Sequence, residues 1–290
     1  MTTADKISKS FKTELKDIYP EREIQVFVEI LLEFYAGLSK TDLIVKSDKT
    51  LDQTVSQQVE GALIRLKKTE PIQYIIGETE FFDLKLKVNP SVLIPRPETE
   101  ELVHWIIENH KNTKKIGILD IGTGSGCIPL ALKSNLLDAE VFGSDISEKA
   151  LETAKGNAEI NNLDVSFMHL DILKVENDKN LGEFDVIVSN PPYVRELEKE
   201  LMHKNVLENE PHLALFVDDD DALLFYEAIV RFAKEHLKKH GHLYFEINEA
   251  YGNEMKKFLL ENNYQDIELK KDINGKDRMI KGVKQQGDCV

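Results

Sequence analysis

Cysteine is nearly absent. The 290 residues contain two, Cys127 and Cys289, far apart in sequence, the second in the polar tail KQQGDCV. Two such residues make neither a disulfide framework nor a zinc site, so no metal is expected. Long apolar runs are missing as well: no window approaches the roughly 18 uninterrupted apolar residues of a membrane span. The opening MTTADKISKS lacks the apolar stretch of a signal peptide, which makes a cytoplasmic protein with no membrane partner the expectation. There is no internal repeat and no low-complexity tract. Positive charge is also scarce, with 37 Lys and Arg against 52 Asp and Glu for a net charge of -15. Residues 1–88 carry 13 basic and 15 acidic side chains, which leaves -13 for the remainder. Such an acidic remainder repels phosphate backbones over a Debye length and disfavours nucleic acid as a direct partner.

What is present is an ordinary globular composition, 41% hydrophobic and 31% charged, in a chain long enough for a core domain and a smaller appended one. Through about residue 75, apolar residues recur at helical spacing: Ile24, Phe27, Val28, Leu31, Leu32, Tyr35, then Val55, Val59, Leu63 and Leu66. A small helical domain over residues 1–75 is expected. Residues 76–97 read as a β-hairpin and proline-rich bridge. In it EFFDLKLKV alternates as a half-buried hairpin strand does, and Pro90, Pro95 and Pro97 follow. PETEELVHWII then starts a helix with Pro97 in its first turn and acids near its N-terminus.

From about residue 98 to 290 one larger domain is expected, since strands and helices alternate: KIGILDIG, a helix from Cys127, AEVFGSDI, a helix from Ser147, VSFMHLD, FDVIVSN, a helix through Ala222 to Leu237, GHLYFEI, a helix from Tyr251, DIELKKD and RMIKGVK. The alternation predicts an α/β fold with a mainly parallel sheet covered on both faces. The last two strands, joined by INGKD with no helix between, must form an antiparallel hairpin. An antiparallel edge strand of that kind distinguishes a methyltransferase-type sheet from a plain dinucleotide fold.

LDIGTGSGCI puts Gly122, Gly124 and Gly126 between a strand and a helix, where positive φ and close approach of a ligand to the backbone are allowed. The dinucleotide fingerprint wants its third glycine at Cys127. Asp145 ends the next strand and would reach a ribose diol, which suits either NAD or S-adenosylmethionine. The plainer alternative is a tight turn and a helix cap. Cys127 reads as a small buried residue, because no nearby His would activate it.

SNPPYVR follows the apolar strand FDVIVS, at the strand end where ligands bind in such sheets. The plain reading is a rigid Asn-Pro-Pro turn. The chemical reading is that a planar amide or aryl amine, whose nitrogen lone pair is delocalised, needs acceptors for its two N–H groups. Asn190 offers a side-chain carbonyl and Pro191 a backbone carbonyl, and neither Pro191 nor Pro192 has an N–H to compete. Tyr193 offers a flat face for stacking. Held in line with an electrophilic methyl, such a nitrogen gains up to roughly 7 to 11 kcal/mol from orientation.

LIPRPETEELV, LDIGTGSGCI, SDIS with AL, A and NA following, FDVIVSNPPYV and GKDRMI together resemble the PrmC/HemK-type methyltransferases. These modify the glutamine of the Gly-Gly-Gln motif in peptide chain release factors. The resemblance runs from about Glu70 to Val283. It implies a class I, Rossmann-like sheet and S-adenosylmethionine as donor with S-adenosylhomocysteine as product; that the near-neutral helical domain grips the release factor, and that the enzyme is a monomer, are expectations beside it. Gly122, Thr123, Gly124, Ser125 and Gly126 would surround the amino-acid and ribose portions, Asp145 the ribose hydroxyls, and Ile172 the adenine. Asn190, Pro191, Pro192 and Tyr193 would hold the glutamine, with Asn190 also near the cofactor; Arg96, Glu98 and Glu100 would shape the methionine end. Two departures, Asn248 where the family carries glycine and Val217 with the acidic run Asp218 to Asp221, fall outside that core. That run reads as a solvated helix cap. The alternatives are a glutamine in a ribosomal protein, an adenine amine in nucleic acid, and a non-catalytic cofactor-binding module.

Overall fold

The computed structural model describes residues 2–45, 48, 50–175 and 181–285; Cys289 lies outside them. The chain divides into two compact units, residues 1–77 with 203–209, and residues 78–202 with 210–290.

The first unit contains α1 (Ala4–Leu15), α2 (Glu21–Ala36), α3 (Lys40–Val45), α4 (Gln53–Leu66) and α5 (Ile72–Ile76). Thr3 caps α1, and Asp52 caps α4 by accepting from the Thr54 N–H at 2.7 Å. Gly37, at φ +61°, ends α2 in the left-handed conformation that favours glycine. The expected stripe is the core: Ile24, Phe27, Val28, Leu31 and Leu32 are buried against Phe11, Leu15, Val59 and Leu66. Arg65 ties the end of this unit together. It donates to both carboxylate oxygens of Glu70 at 2.7 and 2.5 Å and to the Tyr74 and Ile75 carbonyls.

The second unit opens with β1 (Glu78–Phe81) and β2 (Leu84–Lys87), then α6 (Pro97–His110), with Pro97 at its first position. EFFDLKLKV is not one strand, contrary to its alternation. Phe82 and Asp83 take positive φ (50° and 62°) and turn the chain inside it. This two-residue turn lacks the Asn-Gly signature, and Glu100 holds it by accepting from the Phe82 N–H at 2.7 Å.

Then follow β3 (Gly117–Ile121), α7 (Cys127–Asn135), β4 (Glu140–Asp145), α8 (Glu148–Asn161), β5 (Ser166–His169), β6 (Phe184–Ser189), β7 (Val194–Arg195), α9 (Lys204–Asn209, in the first unit), β8 (Phe216–Val217), α10 (Leu224–His236), β9 (Leu237–Glu246), α11 (Gly252–Glu261), β10 (Tyr264–Lys271) and β11 (Asp277–Lys284). Seven of these strands form one sheet in the order β10-β11-β9-β6-β3-β4-β5. β3, β4, β5, β6 and β9 are parallel, and β11 is antiparallel to both β9 and β10. The antiparallel strand is therefore not the edge strand. β11 inserts between β9 and β10, because its apolar residues Met279 and Ile280 can be buried only inside the sheet. β10, whose burial alternates with exposure, takes the edge.

Successive residues point to opposite faces. Ile118, Val186, Val188 and Tyr244 pack on one side with Leu102, Ile106, Ile128 and Leu132. Leu119, Ile187, Leu243 and Phe245 pack on the other with Ile229, Ala233, Met255 and Leu259. The register aligns Ser144, Ile121, Ser189 and Phe245 in one row across four strands. The next residue on each strand is Asp145, Gly122, Asn190 and Glu246, so the row places an acid, the glycine loop, the asparagine and a second acid along one edge of the sheet. The chain reverses direction across the sheet at β3, with β4 on one side and β6 on the other, which is where such sheets bind ligands.

Candidate active site

That edge opens into a cleft of about 340 Å³. Its floor is the glycine loop, where Gly122, Gly124 and Gly126 have φ of +77°, +55° and +81°. A side chain on Gly124 would meet no atom within 4 Å, so the loop presents bare backbone, whereas one on Gly126 would stand 3.1 Å from the Ala154 Cβ of α8. The Gly122 and Thr123 N–H groups donate to the Ser144 carbonyl at 2.8 Å, fastening the loop to β4. Asp145 accepts from the Gly124 N–H with one oxygen and from the Ser147 N–H with the other, both at 2.9 Å. Each oxygen keeps a lone pair for a ligand hydroxyl. Burial raises the Asp145 carboxyl above its ordinary value, opposed by the Ser147 and Gly124 N–H groups.

Asp120 lies beneath the loop, fully buried. Neither of its carboxyl oxygens has a hydrogen-bond partner among the described residues, nor do the hydroxyls of Thr123 and Ser125, which line the cleft. Burial pushes the Asp120 carboxyl up to about 7, and the charge of Asp145 adds to it; Thr123 pulls it down without reaching hydrogen-bond geometry. Ile128, Ile146, Leu170, Ile172 and Ile229 line the apolar walls. A cradle of bare backbone, orphaned hydroxyls, a carboxylate with free lone pairs and an apolar slot fits a nucleoside joined to an amino acid. Cys127 lines the cleft, and burial pushes its thiol up to about 12, so it is no nucleophile.

At the other end stand Asn190, Pro191 and Pro192. The Asn190 Nδ2 donates to the Thr99 hydroxyl at 3.2 Å, and that hydroxyl donates to Glu246 Oε2 at 2.7 Å. The Asn190 Oδ1 is left to accept. Tyr193 does not line the cleft. It packs among the apolar residues around α10, and its hydroxyl donates to Glu246 Oε1 at 2.9 Å. Asn248 pins the following loop by donating to the Tyr193 carbonyl at 3.2 Å and to Glu198 at 3.0 Å.

Of the residues singled out in the sequence, Gly122, Thr123, Gly124, Ser125, Asp145, Ile172, Asn190, Pro191 and Pro192 meet in this cleft, while Gly126 and Tyr193 lie behind it. Among Arg96, Glu98 and Glu100, Arg96 alone lines it, held by Glu210 at 2.5 Å. Glu210 is buried and also accepts from the Ile94 N–H at 3.1 Å. Asp218 accepts from the Asp220 N–H at 3.1 Å, which makes the acidic run a turn cap. Asp120, Thr99, Glu210 and Glu246 are not among the residues singled out in the sequence. A signal exists for two of them: Asp120 in GILDI and Glu246 in LYFEI are acids flanked by apolar residues, where an unpaired charge is costly.

A sheet with an antiparallel hairpin, a cleft shaped for a nucleoside joined to an amino acid, and an asparagine carbonyl left to accept at the mouth of its fourth parallel strand define an S-adenosylmethionine-dependent methyltransferase. Residues 7–77 match the family described as PrmC N-terminal domain, and residues 101–216 match Methyltransferase small domain. The chain is 52% identical over 280 residues to the release factor glutamine methyltransferase of Flavobacterium psychrophilum, an alignment covering 94% of this chain and 98% of that one. It is 43% identical over 276 residues to the protein of the same name from Bacteroides thetaiotaomicron, covering 95% and 98%. Solved structures sharing the fold include a methyltransferase from Pyrococcus furiosus, with TM-score 0.51, 19% identity and coverage of 71% and 91%. Another is the delta-N METTL16 MTase domain, with TM-score 0.54, 18% identity and coverage of 76% and 97%. The chain belongs to the release factor glutamine methyltransferase family.

Proposed function

We propose that this protein methylates the side-chain amide nitrogen of the glutamine in the Gly-Gly-Gln motif of peptide chain release factors. The observation that carries this reading is the orientation of Asn190: its NH₂ is taken by Thr99, so its carbonyl is the group left to accept at the cleft mouth.

S-adenosylmethionine, when bound, supplies an electrophilic methyl on a sulfonium. Asp145 would hold its ribose hydroxyls, Ile172 its adenine, and the loop from Gly122 to Ser125 its amino-acid end. The chain's own work is orientation. An amide nitrogen is a poor nucleophile, and two acceptors, Asn190 Oδ1 and the Pro191 carbonyl, take its two N–H groups and fix which way it points. Neither proline offers an N–H that would compete for them. Fixing that geometry contributes several kcal/mol, with roughly 7 to 11 as the ideal limit. No strong base is required, since an alkylated amide nitrogen is acidic enough for water to take its proton.

The helical unit is read as the part that recognises the release factor, and the enzyme as a cytoplasmic monomer. The net charge of -13 over residues 89–290 supports a protein acceptor over nucleic acid. Among the described residues no helix is long and apolar enough to cross a membrane. The test incubates the protein with labelled S-adenosylmethionine and an extract of unmethylated proteins, and locates the label by mass spectrometry. Label on the Gly-Gly-Gln glutamine is expected; label on another protein's glutamine, or only on nucleic acid, refutes the proposed acceptor.

A further inference from the structure

We infer that Glu246 and Thr99 are positioning residues that dictate which end of the Asn190 amide faces the acceptor, an inference that rests on the functional reading above. An asparagine side chain is nearly symmetric in shape, so packing alone does not decide whether its oxygen or its NH₂ faces the cleft. Hydrogen-bond polarity does. Glu246 ends β9 with 1% of its surface exposed. As a carboxylate it only accepts, and both oxygens are occupied, Oε2 by the Thr99 hydroxyl at 2.7 Å and Oε1 by the Tyr193 hydroxyl at 2.9 Å.

Thr99, in the first turn of α6 and 2% exposed, has one hydroxyl proton, and Glu246 takes it. The Thr99 oxygen can then only accept, so Asn190 must turn its NH₂ inward, at 3.2 Å, and its carbonyl outward. The opposite orientation would set the Asn190 oxygen against the Thr99 lone pairs. Glu246 thereby holds both ends of the Asn-Pro-Pro-Tyr quartet, Tyr193 directly and Asn190 through Thr99. Burial raises the Glu246 carboxyl, and Glu98 adds to this. The Thr99 and Tyr193 hydroxyls and the charge of Arg278 oppose that rise.

The test compares wild type, Thr99→Val, Thr99→Ser and Glu246→Gln for methylation of a release factor, with the dissociation constant for S-adenosylmethionine measured by calorimetry. Valine keeps the shape and removes the hydroxyl. The kcat of Thr99→Val should fall about 100-fold, the size of a 1 Å misplacement of a reacting group, with cofactor affinity within about threefold, and Thr99→Ser should recover most of the rate. Glu246→Gln should lose kcat as well, since an amide at that position can turn its NH₂ toward Thr99 and reverse the polarity. A Thr99→Val enzyme with wild-type kcat, or one losing cofactor affinity in step with kcat, overturns the inference while the functional reading stands. A wild type that labels no glutamine overturns both.

Discussion

Asp120→Asn removes a charge that the folded sheet disfavours, and the effect can be sized from the structure. The carboxyl is fully buried without a hydrogen-bond partner among the described residues, and burial pushes it from 3.8 up to about 7. Between those two values the folded protein holds a proton that the unfolded chain has released. Stability therefore falls as pH rises through this window. At about 1.4 kcal/mol per pH unit the full gap amounts to about 4 kcal/mol, of which about 3 kcal/mol falls between pH 5 and pH 8. Asparagine keeps the shape and does not titrate, so the variant should gain on the wild type by that amount over the interval. The single tryptophan, Trp105, sits in α6 of the same unit, and its fluorescence during urea unfolding at pH 5, 6, 7 and 8 reports the transition. A stability difference constant to within about 1 kcal/mol across those pH values would refute the assignment of a raised carboxyl to Asp120.

Three further outcomes are expected. Asn190→Ala should lower kcat by about 100- to 1000-fold, the range seen for removal of one preorganised hydrogen-bonding group, while calorimetry shows S-adenosylmethionine binding nearly unchanged; retained turnover would remove Asn190 from the mechanism. Asp145→Asn should weaken the same cofactor by roughly 10- to 100-fold, as for lost hydrogen bonds to a charged group, which equilibrium dialysis would check. Gly126→Ala should destabilise the sheet unit by about 2 kcal/mol or more in thermal unfolding, combining the left-handed backbone with a Cβ 3.1 Å from Ala154. Gly124→Ala, with open space at its Cβ, should lose about half as much or less.

The features legible in the sequence are those whose physics is local. Three glycines in LDIGTGSG mark positive φ because other residues resist it, and all three adopt it. Pro97 marks a helix start, and α6 begins there. Asp145 and Asn190 each follow an apolar run whose length and flanks identify a strand, and the shared register of β3, β4 and β6 carries them to one edge. Where a turn used no diagnostic residue, as at Phe82 and Asp83, alternation misled.

Tertiary structure alone decided the rest, because it depends on pairings between distant residues. That β11 enters the sheet beside β9 and leaves β10 at the edge follows from which strand can bury both faces, a property of neighbours and not of either strand. The sequence pattern named Asn190 but could not say which way its amide turns. The answer lies in a hydroxyl 91 residues away on α6 and a carboxylate on β9, meeting only where the folded sheet removes them from water and leaves each polar group to find its partner in the protein.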